Sequence, residues 1–104
     1  MDMQDMLRRA REMQQKAAEM KKGMDSFEVE GQSGGGLVRV TLMGNGACKR
    51  VSLDPSLLKA EDREIVEDLI VAAHGDAKTK LDAKMAEEMN RMAGQLGLPP
   101  GLGL

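Results

Sequence analysis

From Met3 to Met24 the chain places an apolar residue at every third or fourth position: Met3, Met6, Ala10, Met13, Ala17, Met20 and Met24. Steps that alternate between three and four are the a and d positions of a heptad, so this segment reads as one long helix with a narrow apolar seam. No proline or β-branched residue interrupts it, and Gly23 followed by Asp25 and Ser26 supplies a stop. A lone helix with only a methionine and alanine stripe is marginal in water, so the seam needs another helix to lie against.

Three strands are expected next. Phe27-Glu28-Val29-Glu30 alternates apolar and charged residues, Leu37 to Met43 places Val38, Val40 and Leu42 on one face, and Ala47 to Leu53 does the same with Val51 and Leu53. Gly44-Asn45-Gly46 joins the last two strands, and Asn-Gly favours a type I′ hairpin turn because both central residues need positive φ. The opposite face would match Glu28 and Glu30 of the first strand against Arg39 and Arg50 of the others. Asp54-Pro55-Ser56 ends the sheet, and Glu61-Asp62 opens a second helix with acids at its positive end. Its apolar face runs through Ile65, Leu69, Ile70, Ala73, Ala77, Leu81, Met85, Met89 and Met92, with a possible break at His74-Gly75. The tail from Gly94 to Leu104 contains Pro99-Pro100 and four glycines and is expected to be mobile. With no internal repeat and no linker, the reading is one α+β domain over 1–104: a long N-terminal helix, a three-stranded antiparallel sheet and a long C-terminal helix.

A chain of 104 residues buries roughly 60–70% of the surface its unfolded form exposes, too little for a large internal active-site cavity. Phe27 is its only aromatic residue, and ten methionines supply much of the apolar material, which suggests a thin, pliable core that a partner completes. Cys48 is the single cysteine, so no intramolecular disulfide is available and a reducing compartment is expected. The start MDMQDMLRRA has no apolar signal-peptide run, and no stretch nears the roughly 20 apolar residues of a membrane span; a cytoplasmic location is expected. The formal charge of −2 argues mildly against nucleic acid, but the charge is unevenly spread. Residues 1–60 carry ten basic and eight acidic side chains and residues 61–104 five and nine, so any anion-binding surface belongs in the first half.

Most residues that could carry chemistry have a plainer reading. Gly34-Gly35-Gly36 precedes a strand and not a helix, so it reads as a turn and not a phosphate loop. His74 stands alone where a metal site needs three or four ligands, and reads as a helix-surface or packing residue. Cys48, without a second cysteine or a histidine nearby in sequence, reads as a packing residue. The acidic run Glu61, Asp62, Glu64, Glu67 and Asp68 reads as a solvated helix face. No pair of acid, base or nucleophile recurs at a mechanistic spacing, so no enzyme, cofactor or metal is expected.

The cations of the first helix are harder to set aside. With Met3 at position a, Arg8 and Lys22 fall at f, Arg11 at b, Arg9 and Lys16 at g and Lys21 at e, all off the seam. Asp5, Glu12 and Glu19 share position c, a separate stripe that does not simply cancel them. On charge placement alone an ordinary salt-bridged exterior is the simpler reading.

The run Val29-Glu30-Gly31-Gln32-Ser33-Gly34-Gly35-Gly36-Leu37-Val38-Arg39-Val40-Thr41, then Gly44-Asn45-Gly46 and Lys49-Arg50-Val51-Ser52-Leu53-Asp54-Pro55-Ser56-Leu57-Leu58, closely resembles the YbaB/EbfC family of bacterial nucleoid-associated proteins. Glu67 to Ala73, Asp76-Ala77, Lys80, the ending Leu98-Pro99-Pro100-Gly101 and the Met- and Gln-rich first helix are also similar to that family. Gly75 stands where the family usually has Asn, and Cys48 replaces a more usual aliphatic residue. The resemblance implies a cytoplasmic, tweezer-like homodimer in which the sheets help join the subunits and helices project as arms. It implies binding to duplex DNA, a change in DNA conformation, and roles in nucleoid organisation and gene regulation.

No short DNA-reading motif carries over, so the expected phosphate contacts, Arg8, Arg9, Arg11, Lys16, Lys21 and Lys22, rest on charge placement, while Met3, Met6, Met13 and Met20 hold the helix in place. The expected partners are double-stranded DNA and a second copy of the chain, with no membrane and no small-molecule substrate. The alternative is a protein-interaction module that grips a partner with its Met-rich helical seams, its DNA affinity incidental.

Overall fold

The computed structural model describes residues 2–95. Asp2 starts the first helix: its carboxylate accepts the backbone N–H of Asp5 at 2.8 Å, satisfying one of the free donors at the helix start. Helix α1 spans Met3–Ser26. Gly23 does not end it; the chain leaves the helix at Phe27, and the Ser26 hydroxyl donates to the Gly23 carbonyl at 3.1 Å.

Three strands follow, β1 (Glu28–Ser33), β2 (Val38–Met43) and β3 (Cys48–Leu53), antiparallel in the order β1-β2-β3. β1 runs three residues beyond the alternating segment because Gly31 admits another backbone. A Cβ at Gly31 would lie 2.2 Å from the Ala77 nitrogen and 2.4 Å from the Ala73 carbonyl oxygen. The glycine therefore lets a helix press directly on the strand. Gly34–Gly36 forms the expected turn.

The β2–β3 hairpin differs from the type I′ expectation. The Gly46 N–H donates to the Met43 carbonyl at 2.8 Å, and neither Gly44 nor Asn45 has positive φ; Gly46 does, at 89°. This is the longer loop in which a left-handed glycine follows the turn. Gly44 serves a different purpose, since a Cβ there would sit on the Met24 carbonyl at the end of α1. The pairing shifts between Thr41 and Leu42: Thr41 faces Arg50 and Leu42 faces Cys48, so Lys49 is the extra residue of a bulge.

Short turns at Pro55–Leu57 and Ala60–Asp62 lead into helix α2, Arg63–Gln95. The possible break at His74-Gly75 does not occur. A mid-helix glycine costs about 1 kcal/mol relative to alanine, and the fully buried Ala73 and Ala77 on either side hold the helix against the sheet. Gly94 and Gln95 belong to the end of α2; the rest of the expected mobile tail, 96–104, lies outside the described residues.

Val38, Val40 and Leu42 are essentially sealed from solvent and pack with Leu57, Ala73, Ala77 and Leu81. The buried core is thus valine, leucine and alanine, and methionine enters only at its margin through Met85. α2 crosses β1 and β2 but not β3. As a result Val51, paired with buried Val40, remains 44% exposed. α1 has no buried residue at all: Met3 is 76% and Met13 71% exposed, and of the seam only Met20 and Met24 are half-buried. The seam finds its second helix only at its root, and the molecule is drawn out to 72 × 24 × 15 Å. No helix among the described residues is long and apolar enough to cross a membrane.

Two glycines separate packing from propensity. Gly31→Ala should destabilise the fold by about 2–3 kcal/mol, because backbone must move to admit the methyl group. Gly75→Ala, in open space on α2, should stabilise it by roughly 0.5–1 kcal/mol. Urea midpoints of the two variants should move in opposite directions.

Candidate nucleic-acid interface

At 100° per residue Arg8, Arg11 and Lys22 project from the side of α1 opposite the methionine stripe, Arg9 and Lys16 flank it, and Lys21 borders its other side. All six side chains are exposed. They do not converge on a point. Arg8 and Lys22 are separated by about 21 Å along the helix axis, roughly six nucleotide steps of one duplex strand. Arg8, Arg11 and Lys22 form a strip along one side, flanked by Arg9 and Lys16, suited to a repeating anion.

Pairing sets this strip apart from most of the other cations, although Arg50, Lys59 and Lys84 also form no ion pair among the described residues. On the sheet, Arg39 meets Glu30 at 3.4 Å, and on α2 Arg63 meets Glu67, Lys78 meets Asp82, Lys80 meets Asp76 and Arg91 meets Glu88. On α1 only Arg8 is engaged, by Asp5 at 3.3 Å, an exposed pair that is weak in water. Arg9, Arg11, Lys16, Lys21 and Lys22 form no ion pair among the described residues.

The expected charge match across the sheet is corrected at one place. Glu28 takes Lys49 and not Arg50, because the bulge inserts Lys49 into the register. That hydrogen bond holds the Glu28 carboxyl below the usual range. Cys48 is exposed rather than packed, since no helix among the described residues covers β3. His74 is exposed on α2 and, among the described residues, no group of three or more His, Cys, Asp or Glu is placed to hold a metal ion.

The two edges of the sheet differ in a way that alternation could not reveal. On the outer edge of β1, Asp76 accepts the Gln32 N–H at 3.0 Å and Lys80 donates to the Glu30 carbonyl at 3.1 Å. The Ser33 hydroxyl also donates to the Leu69 carbonyl at 2.6 Å. α2 side chains thereby occupy this edge. Among the described residues the β3 side has no such cover; Leu58, in the connection after it, is 66% exposed, and Ile65, at the start of α2, 54%. Sequence periodicity assigns a face to each strand but not which strands a helix will cross.

Comparison with known proteins agrees with this architecture. Residues 1–96 match the model of the YbaB/EbfC DNA-binding family. Among similar sequences, a nucleoid-associated protein of Rhodopseudomonas palustris strain TIE-1 is 50% identical over 103 residues, covering 99% of this chain and 97% of the relative. A nucleoid-associated protein of Bradyrhizobium sp. strain ORS 278 is 49% identical over 102 residues, covering 98% and 96%. The crystal structure of an uncharacterized protein from Helicobacter pylori shares the fold, with a TM-score of 0.67 at 23% identity over 88% of this chain and 97% of that one.

The β1 edge contact gives a pH test. The Gln32 N–H, and then Lys80, hold the Asp76 carboxyl below its ordinary value. A carboxyl lowered by folding stabilises the native state above its unfolded pKa and loses that contribution as pH falls through the lower, folded one. Asp76→Asn should reduce Tm at pH 7, and the gap from the parent should narrow as the pH drops toward 3; an unchanged gap would remove Asp76 from the account.

Proposed function

The chain belongs to the YbaB/EbfC DNA-binding family, and we propose that it acts in the cytoplasm, at the nucleoid, as a non-catalytic homodimer that grips duplex DNA with its α1 arms and alters the DNA's conformation. The observation that carries this reading is α1 itself. It is a 24-residue helix with no buried residue, and five of its six exposed cations form no ion pair among the described residues. A helix so exposed contributes little to the core, whereas its cations can release counterions from a phosphate backbone.

Arg8, Arg9, Arg11, Lys16, Lys21 and Lys22 contact phosphates in this scheme. Phosphate contacts fix position and orientation without reading bases, so sequence preference is weak and comes from DNA shape. The single aromatic ring, Phe27, is half-buried with the Lys84 ammonium 5.1 Å from its centroid, which leaves no platform for stacking bases and favours duplex over single strands. Self-association uses the uncovered β3 side, where Val51 exposes apolar surface, while α2 side chains occupy the β1 edge. Two joined sheets would carry two arms and double the cationic strip. Nucleoid organisation and gene regulation follow as roles for a protein that reshapes DNA without cutting it.

A second reading has its own observation: Met3 and Met13 are among the most exposed apolar residues, as an adaptable protein-docking seam would require. The two readings part on charge reversal. Arg8→Glu with Arg11→Glu should weaken binding alike on all duplex sequences and flatten its salt dependence, with the fold intact by circular dichroism. An unchanged mobility shift from the folded variant would favour the docking seam. For self-association, light scattering at micromolar concentration should give about twice the chain mass of 11.3 kDa; a clean monomer contradicts it.

A further inference from the structure

The cationic side of α1 meets the sheet at its root. There Ala18, Lys21, Lys22, Asp25 and Ser26 share a hollow of about 470 Å³ with Met43 of β2. Arg11 precedes Lys22 by about three helical turns, to within about 20°, so the hollow lies on the same side of α1 as the strip. Val38, Val40 and Leu42 point to the core beneath α2, which leaves Arg39, Thr41 and Met43 on the other face of β2. The strip therefore runs down toward the face of the sheet that α2 does not cover.

That face carries Glu28 and Glu30 of β1, in register with Met43 and Thr41, and Arg50 of β3, also in register with Thr41. A regular strand would send Lys49 to the side opposite Arg50; the bulge brings it to the same side, where it pairs with Glu28. Both acids are then engaged, Glu28 by Lys49 and Glu30 by Arg39. Arg50 is exposed, forms no ion pair among the described residues, and is the surplus cation of the face. Its charge reaches Glu28, whose carboxyl is lowered chiefly by the Lys49 hydrogen bond and further by Arg50. We propose that Arg50 holds a phosphate of the same duplex that α1 tracks, so that the DNA lies in the corner between α1 and the uncovered face of the sheet; this rests on the duplex-binding reading of α1. A guanidinium fork takes two oxygens of one phosphate, and the neighbouring acids, each held by a cation, no longer repel a polyanion. The contact decides which side of the arm the duplex occupies, a choice that cations on an isolated helix leave open.

Salt-titrated affinity of the full chain for a random duplex tests it. Arg50→Gln should make the slope of log K against log salt shallower by about 0.9 for each Arg50 that meets a phosphate. Arg50→Lys should keep most of the parent's slope, with both variants folded by circular dichroism. Lys78→Gln removes the same charge from α2, across the sheet from this face, and should bind as the parent does. A parental slope from Arg50→Gln, or equal losses from Arg50→Gln and Lys78→Gln, would overturn the proposal. Arg8→Glu with Arg11→Glu separates the two readings: if that variant binds weakly while Arg50→Gln binds as the parent, the sheet contact falls and the arm stands. A parent chain that does not bind duplex removes both.

Discussion

The contact of Gly31 with the α2 backbone at Ala73 and Ala77 sets the geometry of the rest. Because Gly31 has no side chain and the alanines have only a methyl group, α2 settles directly onto β1, close enough for Asp76 and Lys80 to reach the backbone of the outer edge. The same approach draws Leu81 and Leu57 over Val38, Val40 and Leu42. Burying each of those three β2 side chains contributes on the order of 1.5–3 kcal/mol. A few small residues thus decide where the helix lies, and the larger aliphatic residues supply the stabilisation once it is there.

A helix committed to β1 and β2 does not also cover β3, and the face that α2 fills has no place for α1. Two features that look like omissions are consequences of that one packing choice. The uncovered strand leaves Val51 with apolar surface exposed, and the displaced helix leaves the molecule as an arm joined at Met20, Met24 and Phe27. The distribution of ion pairs follows the same division. Most cations on the sheet and α2 lie within reach of acids on adjacent strands or turns, Arg50 and Lys84 excepted, whereas α1 has no neighbour along most of its length.

Much of the fold was legible in the residues. The heptad from Met3 to Met24, the alternation of Val38, Val40 and Leu42, and the glycine-rich turns each specify an element through local geometry. What was not legible depends on contacts between elements. His74-Gly75 reads as a possible break until buried Ala73 and Ala77 are seen to hold both sides, and Arg50 reads as a member of the cross-strand charge match until the bulge brings Lys49 to Glu28. Cys48 and Val51 read as packed until β3 proves to be uncovered. The cationic strip was visible as a set of heptad positions. That its members lack acidic partners required the structure, because pairing depends on what lies beside a helix as well as on its own sequence.

The central claim is that α1 is held out of the core and carries its charge to phosphate. The most direct measurement is the dependence of duplex affinity on salt for the unmodified chain, across random, AT-rich and palindromic DNA. Each phosphate neutralised contributes roughly −0.9 to the slope of log K against log salt. The account predicts a log–log slope of about −4 or steeper, nearly equal for the three duplexes, with binding that persists near physiological salt. A shallow slope, or affinity found only at very low salt, would contradict it.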